Sequence, residues 1–330
     1  MRRRRGPRDG QGEGSGRGNG GARGRVYEGV INVLKPPGMT SHDVVDYLRR
    51  LAGQRRVGHT GTLDPPAAGV LLVCLGRATR IAGFLAEESK VYRAEITLGI
   101  TTDTGDAAGR VLESVSAAGV TPEAVAAALA SFEGDYLQVP PMVSAVRVGG
   151  RRLYELARAG RTVPRPPRRV RIHRIEALDG AEWGGPHPRV LVEVACAKGT
   201  YIRSLAADLG ARLGCGAHVS FLLRTAVGRF TVAGSRTLEE LAVLAARGRL
   251  ERAVTPVDRA LGHLPAVEVL PGAVAAVRHG RRLYPPGVGR MDPVAEGALV
   301  RLVGPEGLLA VARAEKTDAG RYGFRPVLVL

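Results

Sequence analysis

Strand-like and helix-like segments follow one another in this chain without a regular rhythm, and that irregularity limits its architecture more than any other feature. A doubly wound sheet needs strand and helix to alternate so that each crossover helix can cover a parallel strand. Here Tyr27 to Leu34 reads as a strand, and Val70 to Leu75 is an unbroken apolar run of strand length. Tyr92, Ala94, Ile96 and Leu98 alternate with polar neighbours, the period-two signal of a half-buried strand. Val170 to Ile175 and Val190 to Ala195 add two strands, and Val219 to Leu223 with Val227 to Thr231 reads as a strand pair. Helical spacing appears in Val44, Val45, Leu48 and Leu51, with Ser41 as the expected N-cap, Asp43 in the first turn and Gly53 as the stop. A short helix through Ile81 and Phe84 follows the Val70 strand, Thr121-Pro122-Glu123 opens another, and Ile202 to Leu213 and Thr237 to Ala246 read as helical too. The predicted fold class is α+β, with a large, mostly antiparallel sheet flanked by helices.

The 330 residues are about two domains' worth. Residues 1–25 hold eight arginines, nine glycines and two acids, with almost nothing apolar, so a disordered Arg/Gly-rich tail is expected there. That tail carries +6 of the chain's net charge of +17 and leaves +11 on the rest. A main unit is assigned to residues 26–260. A small β-rich unit follows at 264–330, where Ala298 to Val303, Leu308 to Ala312 and Val327 to Leu330 read as strands. No apolar run approaches the roughly 18 residues that span a bilayer, and no apolar stretch follows the basic N-terminus as in a secretory signal. Cys74, Cys196 and Cys215 form no close pair. A disulfide framework is therefore not expected, and a reducing cytoplasm is. The excess positive charge points to a polyanionic partner, of which nucleic acid is the commonest.

Two segments carry chemistry. Gly58 to Gly69 places one carboxylate, Asp64, in a Gly- and Pro-rich loop just before the buried Val70 strand. Alone, Asp64-Pro65 is turn chemistry as readily as a site. The second is Cys196-Ala197-Lys198-Gly199-Thr200-Tyr201-Ile202-Arg203, in which a strand runs through Gly-Thr into a helix. Arg203 falls in the first helical turn, where a cation opposes the helix dipole unless an anion compensates it. A carboxylate partner is expected to take its guanidinium bidentately.

With those residues stand Lys35-Pro36-Pro37-Gly38-Met39-Thr40-Ser41, Lys90-Val91-Tyr92, Pro140-Pro141-Met142-Val143-Ser144-Ala145 and Gly216-Ala217-His218-Val219. Each motif is short, but all six in this order make a specific signal. From about Gly29 onward the chain resembles the bacterial TruB-type tRNA pseudouridine(55) synthases, which act on uridine-55 of the T arm. The resemblance implies a pseudouridine-synthase catalytic domain followed by a PUA-like RNA-binding domain. It implies Asp64 as nucleophile and Tyr92 as the residue that stacks on the base and helps remove its C5 proton. It implies Arg203 as the partner of Asp64, His59 against the displaced nucleotide, and Tyr201 and Leu222 lining the uridine pocket. It also implies tRNA as partner, no membrane, no cofactor, no obligatory protein partner and a monomer. Pro66 and Ala68 stand where many relatives carry Leu and Thr, and Ala68 lacks a hydroxyl that could anchor the loop.

The chemistry suits these groups. Pseudouridylation breaks N1–C1′, turns the uracil and rejoins it through C5, so it imports no group and oxidises nothing. A carboxylate can attack and leave again. Burial raises its pKa and an adjacent arginine lowers it, and Arg203 is expected to tip that balance toward the anion. The base must leave its stack, an expense of a few kcal/mol offset by stacking in the new pocket. Arg147, Arg151, Arg152, Arg158, Arg161, Arg165, Arg168, Arg169 and Arg171 form either a solvated face or a phosphate track. A competing reading is an RNA-binding or tRNA-folding chaperone in which turnover is secondary. A hydrolase with an aspartate nucleophile fares worse, because no metal-binding acidic cluster accompanies Asp64.

Overall fold

The computed structural model describes residues 25–316 and 322–330; apart from Arg25, the expected Arg/Gly tail lies outside them. A ten-stranded sheet forms the larger part. Its main path runs Val254–Thr255, Gly29–Lys35, Ala68–Leu75, Ala217–Val227, Lys90–Leu98, Arg189–Cys196, Arg168–Ala181, Gly134–Gln138. Within it, Ala68–Leu75 and Ala217–Val227 run parallel, at Leu223–Ala68 and Arg224–Gly69, while the other ladders are antiparallel. That parallel seam joins the two halves of the sheet. Gly69 is required there: its φ is +117°, and a Cβ would stand 2.2 Å from the Arg224 carbonyl oxygen.

The Ala68–Leu75 strand explains its own apolar run. Leu71, Val73 and Leu75 face helices Ser41–Ala52 and Leu238–Ala246 through Val44, Val45, Leu48 and Leu241. Val70, Leu72 and Cys74 face the other way, toward Leu299, Leu308, Val311 and Leu328 of the C-terminal unit. A strand covered on both faces has no polar side to show. The other half of the sheet packs Ile96, Leu98, Val192 and Val194 against helices Pro122–Ala130 and Ile202–Arg212. The C-terminal unit is a five-stranded sheet covered by helix Pro271–Arg278, around Val267, Val300, Ala312 and Phe324. No helix among the described residues is long and apolar enough to cross a membrane.

Two local expectations need correction. The N-cap of the first helix is Thr40, whose hydroxyl accepts from Asp43 N while the Asp43 carboxylate accepts from Thr40 N. Ser41 is instead buried, its hydroxyl bonded to the backbone of Leu63. The expected pair Val219–Leu223 and Val227–Thr231 is a single strand, Ala217–Val227, followed by a short return at Phe230–Thr231. Arg224 interrupts the apolar pattern but stays in the ladder because its guanidinium is buried on backbone carbonyls.

Candidate active site

The Asp64 loop arrives at the parallel seam and is held there from three sides. Lys35, fully buried at the end of its strand, donates from Nζ to the carbonyls of Pro36, Pro65 and Ala67 at 2.8, 3.2 and 2.7 Å. Burial brings its pKa down to about 8. Gly38 N donates to Pro65 O at 2.8 Å, and Ser41 Oγ accepts from Leu63 N at 2.9 Å. Arg224 completes the clamp, giving Nε to Val70 O at 2.7 Å and its terminal nitrogens to Thr62 O and Gly61 O, each at 3.4 Å. The Lys35–Ser41 motif and Arg224 thus fix the loop on either side of its carboxylate.

Arg203 reaches Asp64 as expected, with Nε 2.9 Å from Oδ2. The expected bidentate pair does not form. The two terminal nitrogens donate instead to Thr104 O and Val143 O, both at 2.8 Å, so one guanidinium ties three segments together. A second carboxylate, Asp106, lies 3.8 Å from the same Nε and accepts from Thr104 Oγ1 at 2.7 Å. Arg203 is almost wholly enclosed (3% of its side chain exposed), whereas Asp64 keeps 34% open to the cleft. The Asp64 pKa lies above the ordinary carboxylate value: burial is the largest influence, Arg203 opposes it and Asp106 adds to it. The expectation that Arg203 tips the balance is therefore corrected. It restrains an upward shift without reversing it, because its charge is shared between two carboxylates and its hydrogen bonds between three partners.

The remaining expected residues gather around a cavity of about 330 Å³ lined by Asp64, Lys90, Tyr92, Tyr201, Leu222 and Arg224 among others. Tyr92 is buried and pairs in register with Arg224 across the ladder. Burial pushes its phenol above the usual value. Tyr201 precedes the helix, its backbone exchanging two hydrogen bonds with the amide of buried Gln138 at 2.7 and 3.0 Å. His59 does not line this cavity. It lines the larger cleft beside it, about 1360 Å³, which shares the Asp64 loop and also carries Arg110, Arg147, Arg152, Arg158 and Arg161. Burial and nearby Arg224 lower the His59 pKa, which favours the neutral ring. No group of three or more His, Cys, Asp or Glu among the described residues could hold a metal ion.

Lys35, Arg224, Asp106 and Gln138 were not read as site residues. Arg224 had a signal: a charged residue in the middle of an apolar strand is buried only when its donors are taken. Asp106 sits in a Thr/Gly/Asp turn whose composition is fully accounted for by turn chemistry.

Comparison with known proteins gives the family of the chain. The family described as TruB family pseudouridylate synthase (N terminal domain) matches residues 49–202. The tRNA pseudouridylate synthase B C-terminal domain matches 203–262, and the PUA domain matches 265–317. The chain is 52% identical to tRNA pseudouridine synthase B of Pelotomaculum thermopropionicum, covering 92% of this chain and 96% of that one. It is 54% identical to the protein of that name in Symbiobacterium thermophilum, over 77% and 82% of the two chains. Among solved structures, a chain of a Cbf5-Nop10-Gar1 complex superposes with a TM-score of 0.71 at 32% identity, covering 92% of this chain and 84% of that one. A chain of an H/ACA RNP bound to a substrate RNA containing 2′-deoxyuridine gives 0.70 at 30%, covering 91% and 84%. The chain belongs to the TruB family of pseudouridylate synthases.

Proposed function

We propose that this protein converts uridine-55 in the T arm of tRNA to pseudouridine, with Asp64 as the nucleophile. The observation that carries the reading is the convergence of Asp64, Arg203 and Tyr92 from three distant segments at one cavity of small-ligand size. The target nucleotide turns out of its stack and lies on the Tyr92 ring, with Tyr201 and Leu222 against it and His59 facing the displaced RNA from the neighbouring cleft. The Asp64 carboxylate serves at either electrophile, C6 of the base or C1′ of the ribose. N1–C1′ breaks, the uracil turns and C5–C1′ forms; the bond made to Asp64 then breaks to regenerate the carboxylate, and the proton lost from C5 is relayed by the Tyr92 hydroxyl while N1 takes one up. Arg203 keeps the carboxylate aimed and restrains its protonation.

The arginines of the larger cleft give the RNA backbone a cationic track. Residues 26–260 act as the catalytic unit and 264–330 as an RNA-binding unit that grips tRNA away from the reaction centre. The protein works as a monomer in the cytoplasm without an obligatory protein partner. The test is incubation with T-arm RNA followed by mapping of pseudouridine. Conversion at uridine-55 alone supports the reading; unmodified RNA that nonetheless binds tightly favours the folding-chaperone alternative.

A further inference from the structure

We propose that Asn32, Arg229, Arg236 and Arg252 form a second binding site, outside the catalytic cleft, for a ribose phosphate that carries a 2′-hydroxyl, as RNA does. The arginines take the phosphate, and the asparagine oxygen accepts from the hydroxyl beside it. The function proposed above enters only in the choice of tRNA as the RNA.

The site follows from an interruption in the edge of the large sheet. Strand Gly29–Lys35 pairs outward with Val254–Thr255 only at Val30 and Ile31. From Val33 its outer neighbour is Arg236, whose backbone donates to Asn32 O at 2.9 Å and accepts from Leu34 N at 2.8 Å. Beside Asn32, where one edge segment gives way to the other, opens a cavity of about 230 Å³, with Arg229 and Thr231 on its wall. It shares no lining residue with the two cavities described around Asp64. Asn32 stands three residues, about 10 Å, along the strand from Lys35, which clamps the Asp64 loop. One RNA molecule is long enough to meet both places.

The charge of the cavity is one-sided. Three guanidinium groups line it, and no acid does. Arg229 gives Nη1 to the neutral carbonyl of Arg259 at 3.2 Å. Arg236 meets Glu240 at 3.6 Å, with both side chains about half exposed. Like charges gathered in this way repel one another, and a bound anion relieves the repulsion. The planar forks of arginine match phosphate oxygens.

Asn32 narrows the anion further. It is 7% exposed, and its Nδ2 donates to Thr231 O at 2.9 Å, which fixes the orientation of the amide. Its Oδ1 is buried and has no donor among the described residues. A buried acceptor left without a donor is costly. An amide oxygen accepts and never donates, so it opposes a phosphate oxygen and suits a hydroxyl. A ribonucleotide offers both groups side by side, a 3′-phosphate and the 2′-hydroxyl next to it. Inorganic phosphate and DNA offer only the first.

The test measures binding of full-length tRNA, of the isolated T arm, and of 3′-AMP beside its 2′-deoxy counterpart. Arg252→Gln, alone and with Arg229→Gln, should lower the salt slope of tRNA binding by about one. The slope for the T arm, and pseudouridine formation on it, should not change. The unaltered protein should bind 3′-AMP roughly threefold to tenfold more tightly than the deoxy form, and Asn32→Leu should erase that difference. A constant tRNA slope with loss of 3′-AMP binding in the double variant would make a free nucleotide, not tRNA, the source of the ribose phosphate. A constant tRNA slope with equal binding of the two nucleotides overturns the proposal. So do equal losses of slope on tRNA and on the T arm, which would assign these arginines to the T-arm track. Absence of pseudouridine formation by the unaltered protein would instead undo the functional reading, and the nucleotide comparison would still decide this one.

Discussion

Removing the Arg203 charge should move the acid limb of the pH–rate profile upward, and removing the Asp106 charge should move it downward. Asp64 must be ionised to act as a nucleophile, and its pKa already lies above the usual carboxylate value because burial outweighs the arginine. The guanidinium stands 2.9 Å from Asp64, and Asp106 faces the same nitrogen at 3.8 Å. A neighbouring arginine depresses a carboxyl pKa by roughly 1–3 units. About a third of the Asp64 side chain faces the cleft, so solvent screens the pair, and Arg203→Met should move the limb upward by less than the loss of a fully enclosed partner would. Activity carried by the anion is lost as pH falls through the Asp64 pKa, and a higher pKa brings that loss at higher pH. Asp106→Asn removes a like charge and should displace the limb by a smaller amount in the opposite direction. The assay is single-turnover pseudouridine formation on T-arm RNA across pH 4 to 9 with saturating enzyme. Same-direction shifts for the two variants, or no shift in either, would refute the electrostatic argument.

Gly69→Ala should cost about 2–5 kcal/mol, since both a positive φ and a 2.2 Å approach to Arg224 O oppose a side chain; urea unfolding checks this, and a change below about 1 kcal/mol contradicts it. Lys35→Met frees the carbonyls of Pro36, Pro65 and Ala67 and should lower single-turnover rates about 10–100-fold through misplacement of Asp64, with tRNA affinity nearly unchanged. The Lys35 pKa, lowered to about 8 from 10.5, means the unfolded chain binds more protons between those values. The unaltered protein should therefore gain stability relative to Lys35→Met as pH rises from about 8 to 10.5, and a parallel pH dependence for the two argues against that burial. Arg158→Gln and Arg161→Gln, on the wall of the larger cleft, should each reduce the salt slope of tRNA binding by about one; an unchanged slope removes them from the phosphate track.

The sequence made the proposed reacting groups legible better than their supports. Asp64, Tyr92 and Arg203 stand in short motifs whose order is informative, and the alternation through Leu98 announced the strand beneath the cavity. The supports are long-range and polar. Arg224 meets Val70, 154 residues away, and Lys35 meets Ala67, 32 away; no local pattern specifies either pairing. Thr40 and Ser41 are both competent N-caps, and only the distant Leu63 backbone decides which hydroxyl is free to cap. The Ala217–Val227 strand looked broken because Arg224 interrupts its apolar pattern, and the loss of that period is a consequence of the clamp. The same blindness hid Asp106: its turn composition is ordinary, and its nearness to Arg203 is a fact of packing.

The most direct measurement is single-turnover pseudouridine formation by Asp64→Asn beside a tRNA-binding titration of the same preparation. With its carboxylate made neutral and its shape kept, the protein should hold tRNA within a few-fold of its normal affinity and form no detectable pseudouridine. Product at a rate near that of the unaltered chain would mean that this carboxylate is not the nucleophile.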